Sequence, residues 1–218
     1  MGPVGADVEP IVFVVDDDQS VREGIQSLLT SAGFSVDTFP TAKMFLNHPR
    51  PDRPACVILD VRMPGLSGLD LQRELTKSGV SIPIIFVTGH GNVRMTAQAM
   101  KAGAVEFLTK PFREQELIDA VRESIGRDRM ERRRRAELFE MRRLFESLTS
   151  RERDVMTKVA AGFLNKQVAA QLGISEITVK VHRAHVMKKM HAKSLADLVR
   201  IADRLGASQP RHSPMPDA

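Results

Sequence analysis

Five short apolar runs, each broken off by a polar residue, recur through the first half of this 218-residue chain and leave few folds open to it. The first, Ile-Val-Phe-Val-Val at residues 11–15, is continuous rather than alternating, as expected of a strand covered on both faces. It ends in Asp16, Asp17 and Asp18. Residues 19–31 then carry Val21, Ile25, Leu28 and Leu29 at helical spacing, with Gly33 where a helix would stop. The alternation continues. Further strands are predicted over 34–38, 56–60, 82–87 and 105–108, with Pro83 tolerable near the start of the fourth. Helices are predicted over 41–46, 67–76, 92–101 and from near Glu114. Five strand–helix repeats predict an α/β fold, a doubly wound five-stranded parallel sheet.

In an open parallel sheet, ligands bind in the crevice outside the carboxyl ends of the strands. Asp16 and Asp17 follow the first predicted strand, Asp60 ends the third, Thr88 follows the fourth and Lys110 the fifth. Three crowded carboxylates repel one another unless a cation sits among them, and oxygen-only ligands suit Mg²⁺. A lysine can pair with phosphate oxygens, and a threonine hydroxyl can donate to one. Together these residues suit the transfer of a phosphoryl group to Asp60 as nucleophile. A single strand-end acid is most often a solvated loop residue, so the convergence of all four features carries this reading.

Charge divides the chain. Residues 1–125 hold 16 acids against 12 bases, whereas residues 126–218 hold 20 bases against 11 acids. The basic back half suits a polyanionic partner. The single cysteine, Cys56, falls in a predicted core strand and cannot form an internal disulfide, which fits a reducing compartment. No apolar run is long enough to span a bilayer, and the first residues lack the basic and apolar regions of a signal peptide. The expectation is a soluble cytoplasmic protein with no membrane partner.

The fifth helix gives way to a stretch with four consecutive arginines, Arg132 to Arg135, followed by Leu138, Met141, Phe145 and Leu148 at spacings of 3, 4 and 3. This predicts a mostly helical connector over 126–146, with the arginines on a solvated face in preference to a contact with DNA backbone, and the apolar stripe packed on the second domain or a partner chain. Thr149 and Glu152 form a capping box that opens the next helix. A short helix over 165–172, the turn Gly173-Ile174-Ser175, and a helix over 176–190 make a helix-turn-helix. On the last of these, Val179, His182, Val186 and Met190 should pack inward and Lys180, Val181, Ala184, His185 and Lys188 outward. A helix with that outer face can lie in the major groove of double-stranded DNA. His185 and His191 have no cysteine or carboxylate at ligand spacing, which argues against zinc.

Residues 11–125 resemble the receiver domain of bacterial two-component response regulators. The likeness rests on Asp16-Asp17, Asp60 with Met63-Pro64-Gly65 and Gly68, Thr88-Gly89-His90-Gly91, and Phe107-Leu108-Thr109-Lys110-Pro111-Phe112. It implies that Asp60 accepts phosphate from a sensor histidine kinase. It also implies that Asp17, Asp60 and the backbone carbonyl of Arg62 bind Mg²⁺, with Asp16 acting through water. Thr88 and Phe107 would be the switch pair, Lys110 a phosphate contact, and the Lys110–Pro111 bond cis. Residues 146–204 resemble the LuxR-type DNA-binding domain through Leu148-Thr149-Ser150-Arg151-Glu152, Gly162, Asn165-Lys166-Gln167-Val168-Ala169, and Ser175 with Thr178-Val179-Lys180-Val181-His182-Arg183. The combination is that of the FixJ/NarL family, with Val181-His182-Arg183-Ala184-His185-Val186-Met187 closest to its FixJ branch. By this likeness Lys180, Val181 and Ala184 face bases, Thr178 and Lys188 approach phosphates, and a final helix over 195–205 serves dimerisation.

The resulting expectation is a non-enzymatic transcription regulator controlled by phosphorylation. Its parts are an N-terminal tail (1–10), a receiver (11–125), a linker (126–146), a DNA-binding domain (147–205) and a disordered tail (206–218). Its partners are a histidine kinase, double-stranded DNA, a second copy of itself and RNA polymerase. The competing reading is a phosphate sink or partner-binding receiver whose tail meets DNA only incidentally.

Overall fold

A computed structural model describes residues 8–89 and 91–207. The start of the expected N-terminal tail, His90, and the expected disordered tail from residue 208 onward lie outside the described residues. The chain divides into two compact units, Met1–Arg133 and Arg134–Ala218.

The first unit is built on β1 (Ile11–Val15), β2 (Ser35–Phe39), β3 (Ala55–Asp60), β4 (Ile84–Thr88) and β5 (Glu106–Thr109). These form one sheet in the order β2-β1-β3-β4-β5, with every pair parallel. Residues of β1 alternate between two cores because successive side chains point to opposite faces. Ile11, Phe13 and Val15 meet Phe45 of α2 (Ala42–Asn47), Leu71 and Leu75 of α3 (Gly68–Lys77) and Ala99 of α4 (Val93–Lys101). Val12 and Val14 instead meet Ile25 and Leu29 of α1 (Gln19–Ser31) and Leu117, Val121 and Ile125 of α5 (Glu114–Glu146). Coverage on both faces explains why the central strands read as continuous apolar runs. Side-chain caps start four of the helices: Asp18, Thr41, Ser67 and Asn92 accept backbone N–H bonds ahead of α1, α2, α3 and α4.

Four strands differ slightly from their predicted bounds, β2 lying one residue later and β3 starting one residue earlier, at Ala55. β4 begins at Ile84, because Pro83 lacks an N–H, although its carbonyl still accepts from Val57 at 2.9 Å. β5 reaches Thr109, and the backbone N–H of Lys110 donates to Thr88 at 2.8 Å. The expected helical connector is continuous with the fifth helix, so that α5 runs for 33 residues without a break. Ion pairs one turn apart, Arg127 with Glu123 and Arg132 with Asp128, support that stretch. Arg132 is also not on a solvated face as expected. It is half-buried, donating through Nε to Asp128 at 2.6 Å and through a terminal nitrogen to Asp52 at 2.5 Å. Asp128 is buried and accepts the backbone N–H of Ala55, the first residue of β3, at 2.9 Å.

The second unit packs α6 (Ser150–Ala160), α7 (Asn165–Leu172), α8 (Glu176–Lys189) and α9 (Leu195–Arg204) around Leu148, Val155, Met156, Val159, Val168, Val179, Val186, Met190 and Leu198. Leu144 and Phe145, near the end of α5, lie against this cluster. The turn between α7 and α8 requires Gly173, whose φ of +66° is in the left-handed region. Ser175 then caps α8, its hydroxyl accepting from the Thr178 N–H at 3.1 Å.

Candidate functional site

Parallel pairing of β1 with β3, in register from Ile11 with Ala55 to Val15 with Leu59, brings Asp16 and Asp60 side by side beyond the last paired residues. Asp16, Asp17 and Asp60 each offer a carboxylate oxygen within 4.8 Å of the others. Among the described residues this is the one group of three or more metal-ligating side chains so placed. Asp16 and Asp60 are buried and Asp17 is exposed, so the cluster has a floor and an open side.

Asp16 is tied down. Its carboxylate accepts from Lys110 Nζ at 2.6 Å and from the Asp18 N–H at 2.9 Å, and its backbone carbonyl accepts from Arg22 at 2.7 Å. Asp60 is not held in that way: its buried Oδ1 accepts no hydrogen bond. Burial pushes the Asp60 carboxyl above the ordinary carboxylate range. Lys110 opposes the rise, Asp16 adds to it, and the N–H groups of Arg62 and Val61 oppose it. A buried carboxylate oxygen without a partner, beside two more carboxylates, fits a hard cation such as Mg²⁺, which takes oxygen ligands. The Lys110–Pro111 bond that follows β5 is cis.

Glycine keeps the site compact at two points. A Cβ on Gly68 would lie 2.2 Å from the backbone oxygen of Asp60, so the start of α3 can approach this strand end only without a side chain. A Cβ on Gly91 would lie 3.0 Å from the Phe107 ring and 2.9 Å from a Thr109 methyl. Thr88, at the end of β4, is buried. Phe107 is half-buried on β5 with its ring centroid 6.1 Å from that of Phe86, and Arg62 is exposed just past β3. Asp16, Asp17, Asp60, Thr88 and Lys110 therefore gather at one end of one sheet, while Phe107 sits against the neighbouring core.

In the second unit, α8 has two faces. Val179, Val186 and Met190 are buried and His182 is half-buried with no partner for its buried Nδ1, while Lys180, Val181, Ala184, His185 and Lys188 are exposed. Thr178 is half-buried, its Oγ1 2.8 Å from the Ser175 hydroxyl.

Glu152 on α6 does more than cap its own helix. Its carboxylate accepts the Thr149 N–H at 2.8 Å and the Lys189 ammonium at 2.7 Å, and lies 3.7 Å from His185 Nδ1. Burial raises its pKa, but Lys189 and the Thr149 bonds outweigh that effect and bring it down to about 2. The capping box revealed the local half of this arrangement. The contact with α8, 37 residues on, had no sequence signal. His185 thus does have a carboxylate neighbour, which the sequence spacing did not reveal. Asp128 was hidden too, because it sits within a charged stretch that reads as solvated.

A five-stranded parallel sheet with a carboxylate cluster and a lysine at its strand ends, followed by a helix-turn-helix, defines a response regulator with a nucleic-acid-binding output domain. Residues 12–122 match the response regulator receiver domain, and residues 146–202 match the luxR family of bacterial regulatory proteins. The chain belongs to the response regulators that join these two domains, in their FixJ-like branch. It is 53% identical to nodulation protein W of Bradyrhizobium diazoefficiens over 95% of this chain and 91% of that protein. It is 44% identical to the transcriptional regulatory protein FixJ of Azorhizobium caulinodans, over 88% of this chain and 90% of that one. Among solved structures it resembles the response regulator StyR, at 50% identity and a TM-score of 0.81, over 90% of this chain and all of that chain. Among the described residues no helix is long and apolar enough to cross a membrane.

Proposed function

We propose that the chain is a cytoplasmic transcription regulator switched by phosphorylation of Asp60. The observation that carries this reading is the buried, unpartnered Oδ1 of Asp60 in a crevice where Asp16 already holds Lys110. An Asp60 oxygen attacks the phosphorus of a phosphohistidine on a sensor kinase. The P–O bond forms as the P–N bond breaks, and the imidazole leaves with the bonding electrons and takes a proton from solvent. Asp16, Asp17, Asp60 and the carbonyl of Arg62 would hold Mg²⁺, which offsets charge among these carboxylates and the phosphoryl oxygens when bound. Lys110 shifts from Asp16 to one phosphoryl oxygen, Thr88 donates to another, and Phe107 follows Thr88.

The energies suffice. Phosphorylation adds about −1.5 to −2 charges and three acceptor oxygens. Shifting a two-state equilibrium from 1:99 to 99:1 takes about 5.5 kcal/mol. Charge-assisted hydrogen bonds contribute roughly 1.5 to 3 kcal/mol each, so two or three new ones are enough.

In this reading the receiver spans 11–125, the linker 126–146 and the DNA-binding domain 147–205. Phosphorylation favours a homodimer whose two α8 helices meet half-sites about one helical turn apart. Lys180, Val181 and Ala184 approach bases, Thr178 and Lys188 approach phosphates, and RNA polymerase is a further partner. The test is selection of genomic fragments by the purified chain, with and without Mg²⁺ plus beryllofluoride as phosphoryl mimic, beside Asp60→Asn. Enrichment of one shared sequence, much stronger for the wild type with the mimic, is the expected result. Equal enrichment in all samples would remove phosphate control, and no enrichment would remove the DNA-reading role.

A further inference from the structure

We infer that α8 selects thymine through its 5-methyl group, using an apolar stripe formed by Ile177, Val181 and Ala184. The inference rests on the DNA-reading role proposed above and adds to it both a residue, Ile177, and a base preference.

The three residues are spaced four and three apart, and at 3.6 residues per turn they fall within an arc of about 60°. That arc lies opposite the buried Val179, Val186 and Met190. Ile177 is 74% exposed and Val181 48% exposed, and Ala184 is exposed between them and the C-terminal lysines of the helix. Isoleucine and valine are weaker helix formers than alanine, so with so little burial they add nothing to the stability of α8. The stripe is flanked by Lys180 on one side and His185 on the other, with Lys188 one turn beyond Ala184. An apolar strip with a lysine at its side and another at its C-terminal end is complementary to a groove floored by bases and walled by phosphates.

The chemistry of the strip narrows what it can read. In the major groove guanine is recognised by arginine or lysine and adenine by forked amide side chains, and thymine alone offers a methyl group to an apolar contact, so Lys180 beside the strip is left to guanine and the strip itself to thymine. The single arginine of α8, Arg183, is turned away and donates to Asn165 of α7 at 3.3 Å. No asparagine or glutamine occurs in α8. Ile177 stands in the first turn, where a recognition helix comes closest to base edges, and the stripe extends about 10 Å along the axis, the length of roughly three base steps.

The experiment uses the full chain with Mg²⁺ and beryllofluoride. Bound sequences are selected first, and each thymine of the enriched half-site is then replaced singly by deoxyuridine, which removes only the methyl. For the wild type, replacement at one or more thymines should weaken binding about fourfold per methyl, the effect of burying one such group. Ile177→Ala and Val181→Ala should bind thymine and deoxyuridine sites equally at the positions they read, with circular dichroism melts that stay at the wild-type temperature. Equal wild-type affinity for every deoxyuridine site overturns the inference and leaves the DNA-reading role standing. The same holds if Ile177→Ala keeps full methyl discrimination, or lowers self-association in sedimentation instead, which would make the stripe a contact between copies. Failure of every protein to enrich a sequence removes the DNA-reading role and this inference with it.

Discussion

The crevice of the first unit and the α6–α8 contact of the second each bury a carboxylate, and they do so under opposite conditions. Asp60 keeps a buried oxygen that accepts nothing and has Asp16 and Asp17 as neighbours. Glu152 is buried too, yet it accepts from Thr149 and Lys189 and has His185 close by. One raises its proton affinity above the ordinary value and the other lowers it. A carboxylate that must bond to something arriving from outside is held short of partners, whereas one that must lock two helices together is supplied with all of them. Asp128 belongs with Glu152, since both tie together elements distant in sequence.

The comparison can be broken by removing each carboxylate in turn. Asp128→Ala has the largest expected effect. It leaves the Ala55 N–H and the half-buried Arg132 without their shared acceptor, which should lower stability by about 3 kcal/mol in urea unfolding. Glu152→Gln keeps the shape but removes the charge that holds Lys189, and should lower stability by about 2 kcal/mol in the same assay. The pH dependence has a definite sign. Glu152 titrates near 4.5 when unfolded and at about 2 when folded. Its contribution is therefore fully present above pH 4.5 and is lost as pH falls toward 2, and the wild-type and Glu152→Gln melting temperatures should converge over that window. Asp60→Asn has the smallest effect and the opposite sign. Relief of repulsion at an under-supplied site should raise stability by about 1 kcal/mol in Mg²⁺-free buffer, measured by thermal melting. A destabilised Asp60→Asn protein would abolish the contrast.

What could be read from the sequence follows the same division. β1, β3 and β4 were legible because burial on both faces leaves unbroken apolar runs, and Asp16, Asp60 and Thr88 were legible because they end those runs. The turn before α8 was legible through Gly173 and Ser175, which do local work. Ties across the fold left no such trace. Asp128 and Arg132 look like any charged helix surface until the strand that meets them is in place. The helical character of the stretch after Ile125 was legible, but not what holds it: α5 leaves the first core after Ile125 and meets the second near Leu144, and ion pairs support the turns that follow Ile125. A lone exposed apolar residue in a first turn, such as Ile177, carries no signal until its neighbours on the helix surface are known.

Cys56 follows Ala55 in β3, fully buried, with its thiol pushed up in pKa by burial and by Asp128. A thiolate is the form that reacts, so this group is doubly silent while the sheet is closed. As the chain has one cysteine and neither tryptophan nor tyrosine, it lacks the usual optical reporters but carries a built-in covalent clock. Each molecule that opens its central strand exposes one taggable sulfur, and the rate at which mass accumulates counts those openings at the strand that ends in Asp60.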